Sequence, residues 1–268
     1  MRLATALLLA GVLLLGACSA GPTATPQPAR LRIQGSTSMA GALTELATSF
    51  EADHPNVLVE VEGGGSAMGW EQLRRGAADV AALSWLSDQV VTTEGFRVAA
   101  VASDGIAIIV HPSNPITDIT TLQLRSLFAG EILDWGALSA VQGQPAIVSR
   151  EEGSGTRAAF ESGIMGDRRV TLNALVMPTS QSVLDYVATH QLAVGYVTFD
   201  HLMPSVRAVP VEGVPPAREH VASGAYPLLR TLYLAVQKGA QPPADDFVIH
   251  ALSAEGQRIL SKHHTPLN

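Results

Sequence analysis

Three short segments of this sequence combine glycine with small hydroxyl residues, and each lies where a helix is predicted to begin. They are GSTS (35–38), GGGS (63–66) and GSGT (153–156). A helix N-terminus presents unpaired backbone amides and about half a unit of positive charge, and glycine lets a ligand approach the backbone closely. Each segment is therefore a candidate for one side of an anion-binding site.

The third segment differs from the other two in the charged residues before it. Arg150 is followed by Glu151 and Glu152 within SREEGSGTR (149–157). A guanidinium is a fixed positive charge with planar donors suited to tetrahedral oxyanions, and either glutamate could orient it. Serine and threonine are also ordinary helix N-caps, so one such segment alone indicates only a cap. The coincidence of three favours a shared oxyanion site.

These segments need strands that end beside them and helices that begin at them. Apolar runs predict strands at residues 31–34, 57–61, 79–84, 146–148, 194–199 and 230–236. Apolar residues at helical spacing predict helices at residues 39–50, 66–73, 122–128, 183–187, 245–252 and 255–262, and another after Gly155. The β-α-β-α-β order at the start predicts an α/β fold with a parallel sheet and right-handed crossovers. Ligands in such sheets bind at the carboxyl ends of the strands.

The long apolar stretch at residues 98–111, interrupted by Asp104-Gly105, predicts a passage from one lobe to another. We predict lobe I at residues 31–104 and 206–268, and lobe II at residues 105–205. The two crossings, at residues 103–105 and 199–210, would then act as hinges.

The N-terminus has the composition of an export signal. Met1-Arg2 precede an apolar run at residues 3–15, and Cys18, the only cysteine, follows Leu-Gly-Ala. The run is shorter than the 20 or so residues of a transmembrane helix. LGAC resembles a bacterial lipobox, which implies a signal peptide at residues 1–17, acylation of Cys18 and a flexible linker at residues 18–30. An incidental cysteine in a signal cleaved elsewhere is the alternative.

Composition and motifs argue against several other classes of protein. Acidic residues outnumber basic ones, 24 to 17, and no basic run occurs, so we expect no nucleic-acid partner. The chain has no phosphate-binding P-loop and no G-x-S-x-G nucleophile motif. Its eight histidines are scattered, and we expect them at the surface, with His263 and His264 in a tail. We therefore predict neither an enzyme nor a metal or cofactor site.

Several motifs together resemble the phosphate-binding proteins of Pst-type ABC transporters, a branch of the type II periplasmic-binding-protein fold. The resemblance runs from about residue 30 to the C-terminus, and its most specific element is R-x-x-G-S-G-T. It is carried by GSTS (35–38), EGGGS (62–66), FAGEILDW (128–135), SREEGSGTR (149–157), VGYV (194–197), YPLLRTLY (226–233) and LSAEGQ (252–257). It implies two lobes, each a mostly parallel sheet flanked by helices, joined by two hinge crossings.

The resemblance also implies a function and a set of ligands. An extracytoplasmic monomer would capture inorganic phosphate between its lobes and deliver it to the transmembrane subunits of an ABC permease. The phosphate ligands would be Thr37, Ser38, Ser66, Arg150, Ser154, Gly155 and Thr156, supported by Ser36 and Glu152.

One position departs from the family pattern. After the third strand the family commonly has a Ser-Asp pair whose carboxylate accepts a hydrogen bond from the proton that phosphate carries, whereas Trp85 follows Ser84 here. Asp88, Glu151 and Glu152 are alternative acceptors. The departure leaves open a sulfate-like oxyanion or a sensing role, and, more distantly, a lipid-anchored hydrolase or adhesin.

Overall fold

The computed structural model describes residues 27–86, 90 and 94–267. The predicted signal peptide, Cys18 and most of the linker lie outside the described residues, as does Asp88. Within the described part of the chain, no helix is long and apolar enough to cross a membrane.

The first part of the chain forms a parallel sheet. Strands and helices alternate in the order β1 (Ala29–Gly35), α1 (Ala40–Asp53), β2 (Val57–Glu62), α2 (Ser66–Arg74) and β3 (Val80–Leu83). β1 pairs in parallel with β2 on one side and with β3 on the other. All four residues of β3 are buried, as expected for a central parallel strand. The predicted β-α-β-α-β arrangement is confirmed.

Two long antiparallel strands, β4 (Phe96–Val110) and β9 (Leu229–Gln237), connect this sheet to a second one. β9 pairs with β3 and with β4 as far as Gly105. The remaining residues of β4, from Ile106 onwards, pair with strands of the second sheet. The described sheet therefore has the order β2-β1-β3-β9-β4-β7-β5-β6, with β4 shared between its two halves.

The second half of the sheet again alternates strands with helices. Its elements are α3 (Thr121–Phe128), β5 (Ala146–Arg150), α4 (Gly155–Phe160), β6 (Leu175–Met177), α5 (Ser180–Thr189), β7 (Ala193–Thr198) and β8 (Arg207–Val209). β5 is parallel to both β6 and β7, whereas β7 and β8 are antiparallel to β4. Each half of the sheet thus contains a parallel unit whose strands end near the crossing strands.

The two larger of the four apolar cores in the described residues lie on the two sides of the crossing. The first contains Leu31, Ile33, Leu46, Phe50, Leu234, Phe247 and Leu260. The second contains Ile108, Phe128, Trp135, Phe160, Tyr196 and Tyr226. We use lobe I and lobe II for the parts of the chain that build these two cores.

The chain returns to lobe I later than the sequence suggested. The predicted boundary after residue 205 would put residues 206–228 in lobe I, but β8 pairs with the second half of β4. Val209, Val221 and Tyr226 pack in the second core. The apolar side chains of this segment therefore assign it to lobe II, and the return crossing is at the start of β9 rather than at residues 199–210.

The C-terminal elements are α6 (Arg218–Ala222), α7 (Ala244–Leu252), α8 (Ala254–His263) and β10 (Thr265–Pro266). β10 pairs antiparallel with β4, where Thr265 lies opposite Ser103. The expectation of a surface tail is wrong for His264, which is only 1% exposed because this short strand holds it against the crossing.

Candidate functional site

The three glycine and hydroxyl segments lie at the carboxyl ends of β1, β2 and β5, as predicted. The last two residues of the first segment lie in a 3-10 turn, Thr37–Met39, which directly precedes α1. α2 begins at Ser66, and α4 begins at Gly155, with Ser154 as an N-cap whose hydroxyl accepts from the Arg157 amide. The amide of Gly65 donates to the carbonyl of Gly35 at 3.0 Å, so the first two segments lie side by side.

Glycine allows the segments of the two lobes to meet closely. A Cβ added to Gly155 would lie 2.1 Å from Ser84 Oγ and 2.2 Å from Ser66 Oγ. Gly65 has a φ of +90°, and a Cβ added to it would lie 2.9 Å from the carbonyl oxygen of Gly153. The same carbonyl accepts a hydrogen bond from the Ala67 amide at 3.3 Å. The lobes are therefore in contact through backbone that side chains would push apart.

Four buried serines form a hydrogen-bonded cluster where the first two segments meet β3. Ser36 Oγ lies 2.9 Å from Ser38 Oγ and donates to Ser84 Oγ at 2.9 Å. Ser84 in turn lies 3.2 Å, Oγ to Oγ, from Ser66 and donates its amide to Ser66 Oγ at 3.0 Å. Hydroxyl groups both donate and accept, so this cluster can turn its hydrogens towards an anion. Ser84 was absent from the predicted ligand set.

Arg150 ends β5 with a side chain that is almost completely buried. Its Nη1 donates to Ser180 Oγ at 3.0 Å, and its Nη2 donates to the Pro178 carbonyl at 3.1 Å. Nη2 also lies 3.4 Å from Thr37 Oγ1, which belongs to the other lobe. The guanidinium is thus fixed in lobe II and faces the first segment of lobe I.

The residue that holds Arg150 is Glu151 and not Glu152. The two Glu151 carboxylate oxygens accept from Arg150 Nε at 3.1 Å and from Nη2 at 2.9 Å. The supporting position predicted for Glu152 is therefore corrected, because its exposed side chain lines a neighbouring cavity instead.

A second arginine, which the sequence did not single out, completes the polar centre. Arg230 of β9 is 5% exposed and donates from Nη1 to Thr156 Oγ1 at 2.9 Å. Its Nη2 donates to Ser38 Oγ at 2.8 Å and to Asp104 Oδ2 at 2.9 Å. One guanidinium therefore joins hydroxyls from both lobes at the strand that connects them. The only sequence signal was a lone arginine in the apolar strand RTLYLAV (230–236).

Burial and the neighbouring charges shift the pKa values of the Asp104–Arg230 pair in opposite directions. Burial raises the pKa of Asp104, but the adjacent His264 and Arg230 outweigh it, and the pKa lies below its ordinary value. Burial lowers the pKa of Arg230, although Asp104 opposes this shift. The pair is therefore ionised at neutral pH, with one positive and one negative charge.

A cavity of about 640 Å³ lies beside the serine cluster, between the lobes. It shares Ser66, Ser154 and Gly155 with the predicted site, and Trp85 forms part of its wall. Trp85 therefore lies beside the predicted anion ligands. Within the described residues, the two carboxylates of the polar centre, Asp104 and Glu151, are each already bonded to an arginine.

The structure brings the predicted ligands together in one region. Donors from both lobes converge on it, and the two buried cations, Arg150 and Arg230, flank it. Serine and threonine hydroxyls contact both guanidinium groups. The predicted members are Ser36, Thr37, Ser38, Ser66, Arg150, Ser154, Gly155 and Thr156, and the structure adds Ser84 and Arg230. Such an arrangement can surround a small oxyanion with hydrogen-bond donors.

Two α/β lobes joined by crossing strands, with a polar centre between them, define the class of two-lobed binding proteins. The family model of the PBP superfamily domain matches residues 22–255, and the chain belongs to this family.

The names of similar proteins agree with this assignment. The chain is 28% identical to the phosphate-binding protein PstS of Bacillus subtilis over 236 residues, covering 86% of this chain and 77% of that protein. Its structure is similar to a substrate-binding protein of the phosphate ABC transporter type from Clostridium perfringens, solved with bound phosphate. That similarity has a TM-score of 0.85 and 30% identity, covering 89% of this chain and 100% of the other. An ABC-type phosphate transport receptor from Vibrio cholerae gives a TM-score of 0.77 at 28% identity, with 89% and 100% covered.

Proposed function

We propose that this protein is a solute-binding protein that captures inorganic phosphate between its lobes for an ABC importer. The observation that carries the proposal is the convergence of two buried arginines, Arg150 and Arg230, on hydroxyls that come from both lobes. The proposed ligands are Thr37, Ser38, Ser66, Ser84, Arg150, Ser154, Gly155, Thr156 and Arg230. The similarity to proteins named as phosphate-binding supports phosphate as the anion.

The chemistry of the centre supports a dehydrated anion that is held by hydrogen-bond donors rather than by a net positive charge. Each arginine is paired with one carboxylate, so neither is an uncompensated buried charge when the site is empty. The serine hydroxyls that now bond to one another can turn towards phosphate oxygens. In a water-excluded site, each donor left without an acceptor costs about 1–3 kcal/mol, so selectivity would come from complete hydrogen bonding. Capture would involve binding and closure only, with no covalent step.

Sulfate is the second candidate ligand, because Trp85 occupies the position where the family commonly has an aspartate. Asp104 and Glu151 each already accept from an arginine, so neither carboxylate of the polar centre is free to accept a hydrogen bond from the proton of phosphate. The serine hydroxyls can accept a hydrogen bond from that proton instead, and because they can also donate, they bind phosphate without strongly rejecting sulfate.

Calorimetric titration with phosphate, sulfate and molybdate at two pH values tests the proposal. We expect heat with phosphate and weaker or no binding of sulfate. Arg150→Ala should weaken phosphate binding by about tenfold to a hundredfold, the equivalent of losing a charged hydrogen bond, while thermal unfolding changes little. His111→Gln, on an exposed loop of lobe II, is the matched control. Absence of heat with phosphate would contradict the proposal.

We also propose that the mature protein is an extracytoplasmic monomer, attached to the membrane by a lipid on Cys18 and docking on the transmembrane subunits of a permease. The lipobox-like LGAC and the uncharged, proline-containing linker support the anchor. Replacement of Cys18 by serine should move the protein from the membrane fraction to the soluble fraction.

A further inference from the structure

His263, the last residue of α8, lies between carboxylates of the two lobes. Its Nε2 is 2.9 Å from Glu45 Oε1 of α1, in lobe I. Its Nδ1 is 3.0 Å from Asp200 Oδ1, in the 3-10 turn Phe199–His201 that follows β7 of lobe II. The imidazole thus links the lobes on the side of the crossing strands.

The protonation state of the imidazole decides whether both contacts can form as hydrogen bonds. A neutral imidazole carries one N–H and one lone pair, whereas the imidazolium carries an N–H on each nitrogen. Ionised carboxylates only accept. Glu45 is ionised at neutral pH, because hydrogen bonds from Lys262 and His263 lower its pKa. The observed geometry therefore fits the imidazolium, and loss of its proton would leave one carboxylate facing a lone pair.

Other charged groups surround this contact from each neighbouring element. Lys262 of α8 donates to the second oxygen of Glu45 at 2.7 Å. Arg218 of α6 donates to the backbone carbonyl of His263 at 2.8 Å. The ring centroids of His263 and His264 are 6.3 Å apart. His201, in the same turn as Asp200, has its pKa lowered mainly by burial. Among these groups, only His263 contacts carboxylates of both lobes.

We propose that His263 is a positioning residue whose protonated form joins Glu45 to Asp200 and so favours the closed arrangement of the two lobes. This inference rests on the proposed function in one respect, namely that closure raises the affinity for phosphate. The direction of the effect follows from the chemistry: both contacts form when each ring nitrogen of His263 carries a proton, which lower pH favours, and one contact is lost when a proton leaves.

Two substitutions of His263 separate protonation from simple contact. His263→Lys supplies a cation that stays charged at neutral and mildly alkaline pH, whereas His263→Gln is neutral at every pH. Asp200→Asn replaces the carboxylate of lobe II by a neutral amide of the same shape, which can either accept from the imidazole or donate to it. This variant serves if either His263 variant fails to fold. Lys262→Gln is the matched control, because it removes a neighbouring cation from the same Glu45 without touching lobe II.

Two measurements at about pH 6 and about pH 8 test the proposal. Small-angle X-ray scattering without phosphate measures compactness, and calorimetry measures phosphate affinity. We expect wild-type affinity, divided by that of His263→Lys at the same pH, to fall about two- to fivefold from the lower pH to the higher, as for a partly exposed ion pair. Division by the variant cancels the ionisation of phosphate itself. The wild type should also become less compact at the higher pH, while His263→Lys and Asp200→Asn should not change with pH.

Parallel pH profiles for the wild type, His263→Lys and Asp200→Asn would overturn the proposal. Equal loss of pH dependence in the Lys262→Gln control would also overturn it, because the effect would then belong to Glu45 alone. Absence of phosphate binding in every variant would remove the proposed function. The scattering comparison would still decide the role of His263, because it needs no ligand.

Discussion

The two arginines of the polar centre are buried to a similar extent but are held in different ways. The side chain of Arg150 is 1% exposed, and its partner Glu151, the next residue in the chain, is 31% exposed. The side chain of Arg230 is 3% exposed, and its partner Asp104 is only 1% exposed. Glu151 can be rehydrated without moving the fold, whereas Asp104 cannot. Arg150 therefore belongs to the binding surface, whereas Arg230 belongs to both the binding surface and the folding core.

Replacement of Asp104 by asparagine should give the largest effect. It leaves Arg230 buried without a counter-ion, which costs about 3–5 kcal/mol of unfolding free energy. Chemical denaturation at neutral pH measures this loss. The pKa of Asp104 is lowered in the folded state, so its contribution is present above the unfolded value of about 3.9 and is lost as the pH falls through the folded value. The difference between wild type and variant should therefore shrink in acid. An equal difference at all pH values would contradict this assignment.

The double variant Asp104→Asn, Arg230→Met separates folding from binding. The double variant leaves no uncompensated buried charge, so it should be more stable than Asp104→Asn alone. Its phosphate affinity should still fall about tenfold to a hundredfold, because the donors from Arg230 are lost. Denaturation and calorimetry on the same preparations give both values. Full phosphate affinity in the double variant would remove Arg230 from the ligand set.

Replacement of Glu151 by glutamine should give the smallest effect, at most about 1 kcal/mol of unfolding free energy. Arg150 retains acceptors in Ser180 and in the carbonyls of Met177 and Pro178, and the position of Glu151 is open to water. Chemical denaturation of Glu151→Gln and Asp104→Asn under the same conditions compares their losses of unfolding free energy directly. Equal losses in the two variants would show that exposure of the partner does not distinguish the arginines.

The same difference explains what the sequence could predict. The elements around Arg150 are local: the strand, the arginine, its glutamate and the helix cap follow one another within SREEGSGTR (149–157). Strand and helix periods, together with the glycine turns, were therefore enough to place this half of the centre at the carboxyl ends of the strands. They could not decide between Glu151 and Glu152, because that choice depends on side-chain directions after the strand ends.

The other half of the centre depends on contacts between distant parts of the chain. Arg230 meets Asp104 across 126 residues and Ser38 across 192 residues. In the sequence, Asp104 looked like part of a hinge and Arg230 like an exception in an apolar strand. The burial of His264 was likewise not predicted, because it depends on the pairing of the next residues, strand β10, with β4. The boundary after residue 205 failed for the same reason, since residues 206–228 join lobe II by tertiary packing.

The shared strand β4 also affects the order in which the protein can fold during synthesis. From Ile106 to Leu228 the residues of lobe II are contiguous, so that lobe can complete its core as soon as this part has emerged from the ribosome. Lobe I begins earlier in the chain, but its sheet lacks β9 and its core lacks Phe247 and Leu260 until these later residues have been made. The lobe that is made first is therefore the one that finishes last, and its apolar strands remain uncovered in the meantime.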